Sequence, residues 1–202
     1  IEATLLCRDR SLPESRADVV SLKSSVWLKV KFVLERAEIY AANGFSRKGL
    51  FAVDTARYGT DITRLPEFQE ADVIHLHWVN QAMLSMKGIR RILQSGKRVV
   101  WTMHDIWPAT AICHYTRGCS HFKTRCHNCQ LLPGGGSDND LAAKIWNRKK
   151  RILTDHNIHF VTCSHWLENL AKQSALLTGQ DITCIPNAID THIFYPNDKK
   201  EA

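Results

Sequence analysis

The sequence predicts an α/β fold built on a Rossmann-like, doubly wound parallel sheet. Short apolar runs, β-branched and bounded by turn residues, alternate with segments of helical period. The polar residues with chemistry to offer also fall just after the apolar runs, where an open sheet of this kind gathers its ligands.

The elements follow in chain order. Ala3-Thr4-Leu5-Leu6-Cys7 reads as a strand. Leu22, Val26, Val30, Val33, Leu34, Ala37 and Ala41 line one face of a long helix near 22–42, ending at Asn43-Gly44. Residues 44–68 have weak periodicity. Strands near 72–78 and 98–103 flank a helix near 81–95, marked by Ala82, Met86, Ile89 and Leu93 and closed by Gly96 at a C′ position, which makes one βαβ unit. Residues 109–138 break the pattern and read as an ordered insertion that ends in a flexible loop at Gly134-Gly135-Gly136. A helix near 139–154 carries Leu141, Ile145, Trp146, Ile152 and Leu153. A strand near 158–163 and a helix near 164–177 follow, the helix with Ser164 as N-cap and Gly179 beyond its end. A strand near 182–185 comes last, and the polar stretch 197–202 reads as frayed.

Composition sets the outer bounds. A chain of 202 residues, 44% hydrophobic and 23% charged, has the makings of one good-sized globular domain. It contains no run of eighteen apolar residues and no signal peptide, so a cytoplasmic protein is expected. The first residue is Ile1, as in a processed chain or a piece of a longer one. The net charge of +7 leaves room for a peripheral contact with an anionic membrane at its inner face. The 27 Lys and Arg are spread along the chain, with one tight cluster at Arg148-Lys149-Lys150-Arg151, which reads as a solvated face.

Four cysteines carry the most specific chemistry. Cys113, Cys119, Cys126 and Cys129 follow the spacing C-x5-C-x6-C-x2-C, and the final CxxC offers two thiolates on one tight turn, as a tetrahedral zinc site needs. A closed structural zinc site is expected, with His114, His121 or His127 able to replace one thiolate; disulfides are disfavoured without a secretion signal. Cys7, Cys163 and Cys184 read as small core residues on strands.

His104 and Asp105 follow the strand 98–103 and should project at the carboxyl edge of the sheet, a site position. His75 and His77 alternate on the preceding strand and point the same way, with Trp78 at its end able to stack on a sugar ring. Ser164 could hold a hydroxyl or anionic group together with its helix N-terminus, although capping explains it equally well. Asn187 lies in the turn Ile185-Pro186-Asn187-Ala188-Ile189-Asp190. The chain has no Walker loop, GxGxxG, GxSxG or HExxH.

Taken in order, Asp72 to Trp78, Val100 to Pro108, the cysteine loop 113–129 and Ile185 to Asp190 with Phe194 and Pro196 resemble the amino-terminal half of family 4 retaining glycosyltransferases. More narrowly they are similar to the bacterial branch used in capsule and exopolysaccharide assembly, whose members carry such a cysteine-rich loop. The resemblance implies a GT-B architecture, in which a first Rossmann-like domain binds a saccharide or lipid-linked acceptor and a second binds a nucleotide-sugar donor. Residues 1–196 would be the acceptor-side domain, lacking its first strand and glycine-rich loop, with 197–202 starting the linker to an absent donor domain. The donor-binding carboxylates would lie in that absent half, so the chain alone is expected to be inactive. His104 matches the family histidine near the donor sugar's reacting face, and Asp105 would orient the acceptor or support His104. Trp78, Ser164 and Asn187 would be substrate contacts. The competing class is a zinc-stabilised nucleic-acid or protein-binding module. No nucleic-acid partner is expected, because the basic residues lie away from the cysteines and form no stacking platform with a phosphate track.

Overall fold

Every strand pairing in the computed structural model is parallel, across the residues it describes, 2–9, 18–22 and 26–196. Strands β1 (Leu5–Cys7) and β2 (Val19–Ser21) form a small two-stranded sheet. The main sheet has the order β3-β4-β5-β6, from β3 (Val73–Leu76), β4 (Arg98–Met103), β5 (His159–Thr162) and β6 (Asp181–Cys184). Helices α1 (Val26–Ala42) and α2 (Pro66–Glu70) precede it, and α3 (Met86–Leu93), α4 (Leu141–Leu153) and α5 (His165–Lys172) make the crossovers. The α/β class with a parallel, Rossmann-like sheet is as expected. The polar stretch 197–202 and the helix positions 23–25 lie outside the described residues.

Local chemistry explains the crossover helices. Ser85, Asp140 and Ser164 each cap a helix by accepting an N–H, from Gly88 at 3.0 Å, Ala143 at 2.8 Å and Leu167 at 3.3 Å. Met86, Ile89, Ile92 and Leu93 of α3 and Ala142, Ile145, Trp146, Ile152 and Leu153 of α4 are buried, and the two helices pack side by side. The centre of the core is aromatic. Trp101 of β4 stacks on Phe160 of β5 at 5.8 Å and meets Trp107 at 6.3 Å.

Helix α1 turns the expected face outward. Val26, Val33 and Leu34 are 76%, 60% and 45% exposed, and Val30, Ala37 and Ala41 are exposed as well; only Leu22 of the anticipated stripe is buried. Leu28, Glu35, Arg36 and Ile39 point inward instead. The reason is hydrogen bonding. Glu35 Oε1 accepts the backbone N–H of Thr55 at 3.2 Å and of Ala56 at 2.8 Å, and the Thr55 hydroxyl at 3.0 Å. Arg36 binds the Asp54 carboxylate and donates to the carbonyls of Leu50 at 2.8 Å and Val53 at 3.3 Å. An irregular segment has no ladder to satisfy its backbone, so charged side chains of α1 do so, and that requirement outweighs apolar patterning.

Three smaller corrections have equally local causes. The helix expected at 81–95 begins only at Met86, because Gln81 and Ala82 have positive φ of 53° and 61°. The helix expected to reach 177 stops at Lys172; Ser174 and Leu177 are buried in the turns beyond, where Ser174 Oγ donates to Ala109 O at 2.6 Å. Cys7, Cys163 and Cys184 are half-buried and not core residues, and Cys163 stands just past the end of β5.

Candidate functional site at the carboxyl edge of the sheet

β4 runs two residues past the end of β3, since Leu76 lies opposite Trp101, and the side chains beyond meet in pairs 27 positions apart. His77 Nδ1 lies 3.0 Å from His104 Nε2, and the Trp78 indole Nε1–H donates to Asp105 Oδ2 at 3.1 Å. His75 Nε2 reaches the Thr102 hydroxyl at 2.7 Å, and the His75 and His77 rings are 4.3 Å apart. His104 Nδ1 faces the Cys163 thiol at 3.6 Å across the end of β5, and the Asn187 side chain hydrogen-bonds that same thiol. The edge thus carries an unbroken polar row from β3 to β6. Burial, joined by the neighbouring histidines, lowers the pKa of both His75 and His77 below the ordinary 6.5.

Asp105 is held from three sides. Its Oδ1 accepts the Trp107 N–H at 2.8 Å, and its Oδ2 meets His114 Nδ1 at 2.7 Å as well as the Trp78 indole. The other His114 nitrogen, Nε2, meets Asp54 Oδ2 at 2.9 Å. A buried imidazole between two carboxylates carries a hydrogen on each nitrogen. Burial opposes its charge, but the hydrogen bonds and charges of Asp105 and Asp54 prevail and raise its pKa to about 9. Charge therefore alternates inward from the edge, from Asp105 through His114 and Asp54 to Arg36.

The predicted site residues divide accordingly. His104, Asp105 and Trp78 meet directly, and Asn187 joins them through Cys163. Trp78 is 43% exposed, its face open at the edge. Ser164 is exposed and acts as the cap of α5. His77, Cys163, His114 and Asp54 were not read as part of the site. His77 had a signal, since it precedes His104 by the same 27 positions that separate Trp78 from Asp105. Asp54 had none, lying in the segment 44–68 of weak periodicity.

The cysteine loop packs behind this edge. Cys113, Cys119, Cys126 and Cys129 are unbridged and line one small cavity of about 30 Å³ with His121 and His127. Burial pushes the Cys126 thiol up to about 12 and the Cys129 thiol up to about 11, and raises Cys113 too. His114 cannot stand in for a thiolate, because both its nitrogens are engaged by carboxylates. The donor set fits zinc chemically, whereas its spacing is open. Among the described residues, the group of three or more His, Cys, Asp or Glu donors lying mutually within 4.8 Å is His165, Glu168 and Cys184, not the four thiols. Beneath the loop, the fully buried Lys149 amine donates to the carbonyls of Trp107 at 2.6 Å and Thr110 at 2.9 Å, 3.3 Å from the Trp107 ring centre. Burial lowers its pKa to about 7.

The parallel α/β sheet, with imidazoles, a carboxylate and an open indole along its carboxyl edge, places the chain in the doubly wound class, in which ligands gather at that edge. The chain belongs to glycosyltransferase family 4, whose family model matches residues 2–193. It is also similar to a protein of Escherichia coli (strain K12) provisionally named colanic acid biosynthesis glycosyl transferase WcaC, at 35% identity over 66 residues. That match covers 30% of this chain and 16% of the relative. No solved structure matches the chain at a significant level.

Proposed function

We propose that the chain is the acceptor-side part of a retaining glycosyltransferase that moves a sugar from a nucleotide-sugar donor to a saccharide or lipid-linked acceptor in exopolysaccharide or capsule assembly. The observation that carries this reading is the coupled pair of contacts, His77 with His104 and Trp78 with Asp105, at the open edge of the sheet. The exopolysaccharide setting draws support from the similarity to the colanic acid transferase.

His104 would give up its long contact with the Cys163 thiol for a sugar hydroxyl, while His77 holds its other nitrogen. Trp78 would stack its exposed face on a sugar ring. Asp105 would orient the acceptor or steady its neighbours, and Asn187 and Ser164 would line the approach. In the transfer, the donor's C1–O bond to phosphate breaks and the acceptor oxygen bonds C1 on the same face. The acceptor proton passes to the leaving phosphate oxygen. The residues named act by positioning and charge stabilisation, with no protein nucleophile.

Cys113, Cys119, Cys126 and Cys129 would hold a structural zinc ion, whose chemistry is to bind thiolates and fix the loop behind Asp105. The donor would be bound mainly by a second domain outside residues 1–202. Among the described residues no helix is long and apolar enough to cross a membrane; action at the cytoplasmic side, with peripheral membrane contact, belongs to the proposal. The test is transfer by the full-length protein and its His104→Ala variant with nucleotide-sugar donors and lysate-derived acceptor. Unchanged turnover in the variant would place the site elsewhere.

A further inference from the structure

A second concave site lies away from the sheet edge. A cavity of about 450 Å³ opens between α3 and α4, and its walls are basic. Lys87 and Arg90 stand one turn apart on α3, facing Arg148 and Arg151, one turn apart on α4. Among the described residues no carboxylate lies within 4.0 Å of the charged nitrogens of these four. The next cation on α3, Arg91, is paired with Asp61, and Arg57 at the cavity rim is paired with Glu38. The four cations thus face the cavity without a carboxylate partner, although Arg151 Nε donates to the Asn147 carbonyl at 3.2 Å. Asp155 is the single acidic residue on its wall.

Like charges on facing helix walls repel and cost stability unless an anion sits between them. Guanidinium forks hold phosphate oxygens two at a time, and paired cations on two opposed walls suit a ligand with two adjacent phosphate groups better than a single carboxylate. The buried side chains of Met86 and Ile152 supply an apolar floor for the carbon attached to those phosphates. We propose that the α3–α4 cavity binds a diphosphate ester. The diphosphate could come from a nucleotide or from an isoprenoid, and the chemistry that recognises it is the same.

The cavity shares no residue with the His104 edge, so binding is measured without any transfer reaction. The experiment is calorimetric titration of the full-length protein with inorganic diphosphate, uridine diphosphate and farnesyl diphosphate, with citrate and a single-stranded oligonucleotide as comparison anions. Saturable diphosphate binding is expected, weakened about tenfold or more in Arg148→Gln/Arg151→Gln and, separately, in Lys87→Gln/Arg90→Gln. Both double variants change side chains at the cavity wall and should unfold no earlier on heating than the parent, which keeps loss of folding apart from loss of binding. The ester whose affinity drops in both variants identifies the source. Diphosphate binding that neither variant weakens overturns the proposal, as does variant-sensitive binding of citrate or the oligonucleotide as tight as that of diphosphate.

Discussion

His77 Nδ1 and His104 Nε2 face each other at 3.0 Å across the ends of neighbouring strands, so one ring must donate and the other accept. The pair holds a single shared hydrogen. A second proton would set two N–H groups against each other.

The first prediction follows from that pairing. The folded pKa of His77 lies below its ordinary 6.5, through burial first and then its histidine neighbours, so the unfolded chain binds the proton more readily. The stability due to the neutral pair is therefore present above pH 6.5 and is lost as pH falls through the lower folded pKa. Transfer by the full-length protein should show an acid limb below pH 6.5. His77→Gln, which cannot titrate, should flatten that limb; an unchanged limb would show that another group sets it.

His114 works in the opposite direction. Its folded pKa of about 9 lies above the ordinary 6.5, so its contribution is complete below pH 6.5 and fades as pH rises through about 9. His114→Ala leaves Asp54 and Asp105 without their shared partner, and a broken buried pair costs about 3–5 kcal/mol. Thermal unfolding measured from pH 6 to 10 should show the parent losing stability across this window and the variant losing much less.

Zinc content offers a third measurement. Protein purified without chelator should carry about one equivalent per chain, and Cys126→Ser should lose most of it. Less than about half an equivalent in the parent would remove the metal from the account.

The fourth prediction isolates His104. His104→Ala in the full-length protein should cut turnover about a hundredfold or more while leaving the fold and the zinc content intact, since the residue is exposed at the edge and lies outside the core and the cysteine loop. Residues 1–202 alone should show no measurable transfer. Robust transfer by that piece would mean that the donor site lies within it.

The strands of the main sheet were legible because burial on a parallel sheet demands runs such as Val99 to Met103, and few other structures use them. His104, Asp105 and Trp78 were legible for the same reason, since the end of a strand fixes where its next residue projects. Helix α1 was misread on its face because period alone cannot tell a stripe that packs from one that faces water. What decided the matter was Glu35 and Arg36, drawn inward by backbone groups at 50–56 that have no strand or helix of their own. His114 was read only as a spare zinc ligand. Its partner Asp54 lies 60 positions away, and no local pattern announces a contact across that distance.

That separation also sets an order of events in folding. The link from His114 to Asp54 closes a loop of 60 residues and that from His104 to Cys163 one of 59, the same separation at which β4 pairs with β5, Val100 opposite His159. Closing long loops costs entropy before any contact rewards it, so the β3–β4 and β5–β6 units, whose partners Val73 and Arg98 or His159 and Asp181 are close in the chain, should form ahead of the row of side chains on the rim. On refolding, helical circular dichroism should recover before the near-ultraviolet signal of Trp78 and Trp107 does. A mildly destabilised chain would then keep its secondary structure while its rim comes apart, and would lose activity well before it melts.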